Sequence, residues 1–265
     1  MDIRPIGVFD SGIGGLTVFS EIAKRLPNED IIYLGDTKRF PYGIKSQDTI
    51  IEITKKNIEF LLRSNVKIVV IACGTATSQA LDAVKNLFDV PIIGVIEPTI
   101  LSLAKDTCVN TIGVIATVGT IRSNAWEKEI KDHIKNVEVV NKACSLLAGM
   151  AEEGWVDNEI AKLAIKEYLK DFKTVEIDKL ILGCTHYSLF QKIIKDELGK
   201  DVEIIDTGDK VAIYLEKLLK ESNKGNNQAN KGKYNIYLTD METHFLKFGE
   251  SLLNQKIEIK KVDID

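Results

Sequence analysis

Two of the four cysteines lie where they could do chemistry together. Cys73 and Cys184 each follow a short apolar run that is typical of a β-strand. In open α/β sheets, ligands bind just beyond the carboxyl ends of the strands, so these positions predict a shared site. A free thiol has a pKa of about 8.5, so a modest shift makes it an acid or a base near neutral pH. Two thiols on opposite faces of a carbon atom could remove a proton from one face and return one to the other, which inverts a stereocentre.

The other cysteines, Cys108 and Cys144, have no such placement and are predicted to be structural. Buried free cysteines usually behave as small hydrophobes. The chain has no Cys-x-x-Cys pair, which predicts free thiols. Cys184 and His186 could together bind a metal, but no further cluster of Cys and His completes a zinc set. No metal site is therefore predicted.

The elements that would position these thiols alternate between short apolar runs and helix-period segments. This alternation predicts an α/β fold with mostly parallel sheets. Helices are expected over residues 16–26, 47–65 and 161–172, and the polar segment 221–233 is expected to be a loop. The predicted strands cover residues 6–10, 31–35, 68–72, 92–95, 111–116, 137–141, 180–183, 203–206, 234–239 and 257–262.

The chain also contains an internal echo. The sequence Ile-Gly-Val begins at residue 6 and again at residue 112, and a turn rich in glycine and threonine follows each time. In each half, a lysine later precedes the apolar run that ends at the cysteine. The echo predicts two similar α/β domains, related by a pseudo-twofold, with the active site in the interdomain cleft. The predicted boundaries place residues 1–95 and 210–265 in the first domain and residues 96–209 in the second.

Polar groups adjoin these cysteines in the predicted fold. Asp10 ends the first strand and His186 lies two residues after Cys184, so both could tune the thiols. The turn over residues 10–15 enters a helix, and its backbone N–H groups could bind an anion. Segments 75–78 and 117–120 offer hydroxyl groups as well. A cleft with these donors suits a small dicarboxylate amino acid.

Composition narrows the possible partners. The net charge is −4 with acids and bases interspersed, and no basic tract indicates nucleic acid. No apolar run approaches the ~20 residues of a membrane span. The first residues have no signal-peptide layout, so a cytoplasmic location is expected.

Several motifs are similar, in order, to those of the glutamate racemase family within the aspartate/glutamate racemase superfamily. They cover nearly the whole chain and include the segments 7–18, 41–43, 72–76, 94–98, 117–124, 151–154 and 183–187. The resemblance implies two α/β domains with the active site between them, no cofactor, and often a homodimer. It also implies that D-glutamate supplies peptidoglycan synthesis, and that the chain after segment 221–233 returns to the first domain.

The resemblance assigns roles to individual residues. Cys73 and Cys184 would be the two bases that interconvert L-glutamate and D-glutamate. Asp10, Glu152 and His186 would assist them in catalysis. The residues implied to bind substrate are Asp10, Ser11, Tyr42, Gly43, Gly74, Thr75, Thr117, Thr120, Thr185 and His186.

Three positions depart from the family pattern. Residue 74 is glycine where the family usually has asparagine, which removes an amide and is expected to leave extra room beside the substrate. Segment 145–150 lacks the usual proline and bulky apolar residues, and Ser188 replaces a proline. Gly74 predicts weak activity on glutamate that Gly74→Asn would improve. The alternative is a catalytically weak or non-catalytic paralogue that binds an acidic amino acid.

A nicotinamide-dependent oxidoreductase is a further alternative. Gly12 and Gly14 follow a strand, and Asp36 ends the next one, as in a dinucleotide-binding fingerprint. The third glycine is missing, because residue 17 is threonine. Such an enzyme would also give no reason for cysteines at matched strand ends.

Overall fold

The computed structural model describes residues 1–106, 109–226, 230–241 and 243–264. Cys108 and part of the predicted loop 221–233 lie outside these residues. Within the described part of that loop, residues 222–226 and 230–233 carry no helix or strand. None of the described helices is long and apolar enough to cross a membrane.

Ten strands occur in the described residues, and they pair in parallel in two sheets, which confirms the predicted α/β class. In chain order they are β1 (Ile6–Asp10), β2 (Ile31–Gly35), β3 (Ile68–Ile71), β4 (Ile92–Ile93), β5 (Thr111–Ala116), β6 (Glu138–Ala143), β7 (Lys179–Leu182), β8 (Glu203–Ile205), β9 (Tyr234–Leu238) and β10 (Ile259–Lys261).

The two sheets repeat one strand order. The larger sheet has the order β10-β9-β2-β1-β3-β4, and the smaller has the order β6-β5-β7-β8. The run β2-β1-β3-β4 therefore corresponds to β6-β5-β7-β8, strand for strand, as the internal echo predicts. We call the part of the chain around the larger sheet the first unit and the part around the smaller sheet the second unit.

Helices connect most of the parallel strands. They are α1 (Gly15–Arg25), α2 (Gln47–Leu62), α3 (Gly74–Val84), α4 (Ile96–Leu103), α5 (Val118–Arg122), α6 (Ala125–His133), α7 (Ser145–Glu152), α8 (Glu159–Leu169), α9 (Phe172–Val175), α10 (Gln191–Leu198), α11 (Thr207–Glu221) and α12 (Thr243–Leu253). Short 3₁₀ turns cover Thr37–Arg39, Tyr42–Ile44 and Thr185–Phe190.

The two units share a hydrophobic core. Helix α11 packs on α1 and α4, and α4 also packs on α6 of the second unit. Buried side chains from both sheets, such as Val8 and Val114, belong to one continuous cluster with Ile100 of α4. The helices α4 and α11 therefore join the units on one side and leave a cleft at the carboxyl ends of the strands.

The sequence predicted the ends of most helices and strands to within a few residues of those in the structure. The helix predicted over residues 161–172 shows how such a prediction misses the ends. The helix begins two residues earlier, at Glu159, because the Asn158 side chain accepts the N–H of Ala161 at 2.8 Å. It ends at Leu169, and Phe172 begins the separate helix α9. Such end groups outweigh apolar periodicity in setting helix boundaries.

Candidate active site

Cys73 and Cys184 line one cavity of about 130 Å³ between the two sheets. Cys73 follows β3 in the first unit, and Cys184 follows β7 in the second. Ser11 after β1 and Thr117 after β5 line the same cavity, which therefore lies at the carboxyl ends of both sheets. The sequence-predicted site residues found in its wall are Ser11, Tyr42, Gly43, Cys73, Thr75, Thr117, Cys184, Thr185 and His186.

The surroundings of Cys73 favour a neutral thiol. The side chain is buried, and its Sγ lies 3.8 Å from Oγ of Ser11. Burial raises the pKa of this thiol above its usual value, and the neighbouring Asp10 raises it further. The backbone N–H of Ala76 and the hydroxyl of Ser11 lower the pKa, but they do not outweigh burial. Cys73 is therefore suited to donate a proton.

Cys184 lies beside a histidine that is held as a cation. Its Sγ is 3.7 Å from Nδ1 of His186, and Nε2 of the same ring is 2.5 Å from Oε1 of Glu152. Burial lowers the pKa of His186, but its bonds to Cys184 and Glu152 outweigh burial and raise the pKa well above its usual value. The two thiols thus lie in opposite electrostatic surroundings, with a carboxyl group near Cys73 and an imidazolium beside Cys184.

Glu152 also joins the two units. Its Oε1 accepts the backbone N–H of Ile13 at 3.0 Å, in the turn that leads into α1. The N–H of Gly12 in the same turn donates to Oδ1 of Asp10 at 3.0 Å. These N–H groups therefore bind the protein's own carboxyl groups. These two donors are not free for a substrate carboxylate, and for the other N–H groups of the turn the expected anion binding stays a prediction.

Glycines in this turn let the second unit approach closely. A Cβ atom at residue 12 would lie 2.0 Å from Oε1 of Glu152, and one at residue 14 would lie 2.6 Å from Nδ1 of His186. The glycines that suggested a dinucleotide fingerprint are thus covered by side chains of the second unit. The turn has no space for a pyrophosphate group, so the structure does not favour the oxidoreductase alternative.

Asp10 does not line the cavity, but its carboxyl group contacts Ser11 and Thr185, which do. Its carboxyl group is fully buried and accepts the Thr185 hydroxyl at 3.2 Å. Burial raises the pKa of Asp10, while the charge of His186 and the bond from Gly12 lower it. Asp10 therefore positions Thr185 and raises the pKa of Cys73, and its implied contact with substrate stays a prediction.

Tyr42 lines the cavity, but its hydroxyl group forms hydrogen bonds with residues outside the cavity wall. It donates to Asp36 and accepts a bond from Nδ2 of Asn57 at 2.9 Å. Asp36 also accepts the Thr239 hydroxyl at 2.9 Å. A contact of Tyr42 with substrate must therefore come from its backbone or ring. The same bonds remove Asp36 as a partner for a ribose, which the dinucleotide alternative required.

Three threonines link the units beside the cavity. Oγ1 of Thr75 lies 2.9 Å from Oγ1 of Thr117, which lies 3.0 Å from Oγ1 of Thr120. Thr75 belongs to the first unit, and the other two belong to the second. Thr120 is 1% exposed, does not line the cavity, and contacts Thr75 and Thr117 through its hydroxyl group. Its implied contact with substrate stays a prediction.

Gly74 has no extra room beside it, which corrects the sequence expectation. A Cβ atom at this position would lie 2.1 Å from the carbonyl oxygen of Gly183. Gly74 is also absent from the cavity wall. An asparagine side chain, which the family usually carries here, would therefore require the Gly183 backbone to shift, and the improvement expected from Gly74→Asn stays a prediction.

Seven residues of the cavity wall were not predicted from the sequence. One of them, Phe40, packs its ring against that of His186, with 5.6 Å between the ring centroids. The missed residues are Phe40, Pro41, Ile44, Val118, Ser145, Ala148 and Gly149. Pro41 belongs to the family-like segment 41–43, and the departing segment 145–150 lies within helix α7. The other departure, Ser188, bonds Asp206 and lies away from the cavity.

In a variant with glutamine in place of Glu152, the racemisation rate is expected to begin to fall at a lower alkaline pH than in the wild-type protein. The change removes the negative partner of His186, so the imidazolium loses its proton at a lower pH than in the wild-type protein. A lost bond to a charged group costs about 1.5–3 kcal/mol, so the rate should fall about tenfold to a hundredfold. Initial rates measured against pH check this, and an unchanged alkaline limb would show that Glu152 does not set the charge of His186.

The fold and the cleft define an α/β protein of two similar units with one thiol from each in a shared cavity. Within the described part of the chain, no group of three or more His, Cys, Asp or Glu side chains could hold a metal ion.

Comparison with known proteins agrees with this class. The family model of Asp/Glu/Hydantoin racemases matches residues 6–212. A glutamate racemase from Geobacter metallireducens is 40% identical over 257 residues, which cover 97% of this chain and 95% of that protein. A structure of glutamate racemase from Francisella tularensis in complex with D-glutamate has a TM-score of 0.92 and 40% identity, and covers 100% of this chain and 99% of its own. A structure of a glutamate racemase isoform from Bacillus anthracis has a TM-score of 0.94 and 38% identity, and the match covers 99% of this chain and 98% of that one.

The chain therefore belongs to the glutamate racemase family, among the Asp/Glu/Hydantoin racemases, and is an isomerase of amino acids.

Proposed function

We propose that the protein interconverts L-glutamate and D-glutamate, with Cys73 and Cys184 as the two proton-transfer groups. The observation that carries the proposal is that the two thiols, from separate sheets, line one cavity. The relatives named above are glutamate racemases, and one of them was solved with D-glutamate bound.

In one direction, the Cys184 thiolate removes the proton on Cα and becomes a thiol. The electron pair of the broken C–H bond is delocalised into the α-carboxylate. The Cys73 thiol then gives its proton to the opposite face of Cα and becomes a thiolate. The imidazolium of His186 beside Cys184 and the burial of Cys73 support this starting state. In the other direction the roles exchange.

The residues of the wall can hold the substrate without an arginine. Hydroxyl groups of Ser11, Thr75 and Thr117 can donate to its carboxylates, while the Thr185 hydroxyl already donates to Asp10. The apolar residues around them exclude water, which strengthens each hydrogen bond. Since the chain supplies both proton transfers, we propose that the reaction needs no cofactor.

Racemisation in deuterated water tests the two-thiol mechanism. Purified protein with L-glutamate should yield D-glutamate that carries solvent deuterium at Cα, because the donating thiol exchanges with solvent. Early in the reaction, the remaining L-glutamate should carry much less deuterium. Circular dichroism follows the inversion, and NMR or mass spectrometry follows the label.

Other outcomes would separate the alternatives. Equal early labelling of both enantiomers would point to a single base. Binding of glutamate without inversion would favour the non-catalytic paralogue. A requirement for pyridoxal phosphate or a metal would contradict the cofactor-free proposal.

The family resemblance supports three broader proposals: that the protein forms a homodimer, acts in the cytoplasm, and supplies D-glutamate for peptidoglycan. Sedimentation at several concentrations tests the first. Rescue of a bacterium that requires D-glutamate tests the last.

A further inference from the structure

One wall of the cavity is a run of five consecutive residues, which we call the wall segment. Residues 40–44 all line the cavity, and none of the strands or α-helices given above includes them. The N–H of Phe40 donates to the carbonyl of Thr37 at 3.2 Å, and that of Lys45 donates to the carbonyl of Tyr42 at 3.0 Å. Both bonds join residues three positions apart, so they shape turns but do not tie the wall segment to the sheet.

The wall segment lies directly against the second unit. The ring of Phe40 packs against that of His186. A Cβ atom at residue 43 would lie 2.6 Å from Cβ of Thr117. The position of the wall segment therefore sets the width of the cavity between the two units, and a displaced segment would hold a substrate less tightly.

A buried carboxylate, that of Asp36, ties the wall segment to the first unit. Asp36 is 0% exposed, and its own N–H donates to the carbonyl of Asp10 at 2.9 Å. Nη1 of Arg39 lies 3.1 Å from each carboxylate oxygen, and the Tyr42 hydroxyl donates to Oδ2. Oδ1 accepts the hydroxyl of Thr239, which follows β9, at 2.9 Å. Hydrogen bonds to an ionised group are about twice as strong as those between neutral groups.

We propose that Asp36 is a positioning residue for the wall segment and acts through the Tyr42 hydroxyl. Asp36 does not line the cavity, so it fixes the cavity width without touching the substrate. The effect of that width on glutamate rests on the proposed function, whereas the bonding of the wall segment does not. Two readouts therefore keep the ideas apart. Racemisation kinetics report the effect on substrate, and hydrogen exchange followed by mass spectrometry reports how firmly the segment is held.

Asp36→Asn is expected to raise KM about tenfold, the effect of one lost hydrogen bond to a charged group. Whichever way the amide turns, its NH2 group faces another donor, either Arg39 and the Tyr42 hydroxyl or the Thr239 hydroxyl. The change in kcat should be smaller, because the wall segment carries neither thiol. Hydrogen exchange over residues 40–45 should be faster than in the wild-type protein.

Tyr42→Phe should reproduce most of both effects, since it removes only the hydroxyl that Asp36 binds. The double variant should then resemble either single variant. Independent effects would instead multiply, so the comparison shows whether Asp36 acts through Tyr42.

The matched control is Glu29→Gln, which removes a buried carboxylate elsewhere in the first unit. Glu29 precedes β2 and Asp36 follows it, so Glu29 lies at the edge of the sheet away from the cavity. Glu29 is 2% exposed, and its Oε2 lies 2.6 Å from Nζ of Lys67. This variant should unfold at a lower urea concentration but keep the wild-type KM and the wild-type exchange of the wall segment.

A wild-type KM in active Asp36→Asn, or wild-type exchange over residues 40–45, would overturn the inference. Multiplied effects in the double variant, or equally fast exchange in Glu29→Gln, would overturn it as well. If the wild-type protein does not racemise glutamate, the proposed function fails while hydrogen exchange still tests the bonding. If Asp36→Asn does not fold, Tyr42→Phe carries the test through the same two readouts. If neither variant folds, these bonds govern folding rather than cavity width, and the inference is wrong.

Discussion

Replacing either Cys73 or Cys184 with alanine is expected to reduce racemisation on the order of 10⁴-fold, the upper end of the contribution of one positioned acid or base. Inversion needs a proton acceptor on one face of Cα and a donor on the other. The loss of either thiol therefore stops both directions of the reaction. Circular dichroism in the far ultraviolet should show that both variants stay folded, since each change removes one atom at a cavity wall.

Cys144→Ala is the matched control. Cys144 is also buried, but its Sγ lies 3.8 Å from the carbonyl of Lys142 and does not reach the cavity. Burial raises the pKa of the Cys144 thiol to about 12, so it stays neutral near pH 7. This variant should keep most of its activity. Near-normal racemisation by Cys73→Ala or Cys184→Ala would refute the two-thiol mechanism.

Each single variant should still exchange the Cα proton of one enantiomer with solvent, although it cannot invert it. The remaining thiol can still exchange the Cα proton of the enantiomer whose C–H bond faces it. In deuterated water, Cys73→Ala should therefore label one enantiomer of glutamate and Cys184→Ala the other, without inversion. If both variants labelled the same enantiomer, the two thiols would not lie on opposite faces of the substrate.

The sequence was sufficient to predict the parts of the site that depend on local order. Cys73 and Cys184 each follow an apolar run, and the carboxyl ends of parallel strands form the ligand-binding edge of a sheet. The internal echo predicted two similar units, and the strand order of the two sheets repeats accordingly. These inferences needed only the period of the strands and the position of each cysteine along the chain.

The parts that depend on contact between the units could not be predicted in the same way. The sequence around Gly74 suggests an empty space, but a carbonyl group from residue 183 fills it. The glycine turn suggests an anion site, but Glu152, 139 residues farther along the chain, bonds Ile13 there. No local pattern reports such a distant partner.

A similar limit applies to two lysines at the start of the strands that lead to the cysteines, since Lys67 precedes β3 and Lys179 begins β7. In the sheets, Ile6 pairs with Ile68 and Ile112 pairs with Lys179, so Lys67 and Lys179 are not equivalent but differ by one position. Successive residues of a strand point to opposite faces, so this offset places the two lysines in different surroundings. The sequence echo alone made them look alike.

Their partners differ accordingly. Nζ of Lys67 is fully buried, lies 2.6 Å from Oε2 of Glu29, and also donates to the carbonyls of Asp2 at 2.7 Å and Lys224 at 2.8 Å. The Glu29 side chain is 3% exposed. Lys179 instead pairs with side chains that are 44% and 56% exposed, those of Asp106 and Glu203.

Lys67→Met is expected to lower the free energy of unfolding by about 3–5 kcal/mol, because it leaves the Glu29 carboxylate buried without its cation. Lys179→Met should cost about 1 kcal/mol or less, since water can solvate the carboxylates that it leaves behind. Unfolding in urea measures both changes. Adding Glu29→Gln to Lys67→Met should restore much of the loss, because the amide carries no charge and its oxygen can still accept the N–H of Asn226, now 2.7 Å from Oε1 of Glu29. Equal losses for the two lysine variants, or no recovery in the double variant, would show that the buried charge of Glu29 is not what Lys67 compensates.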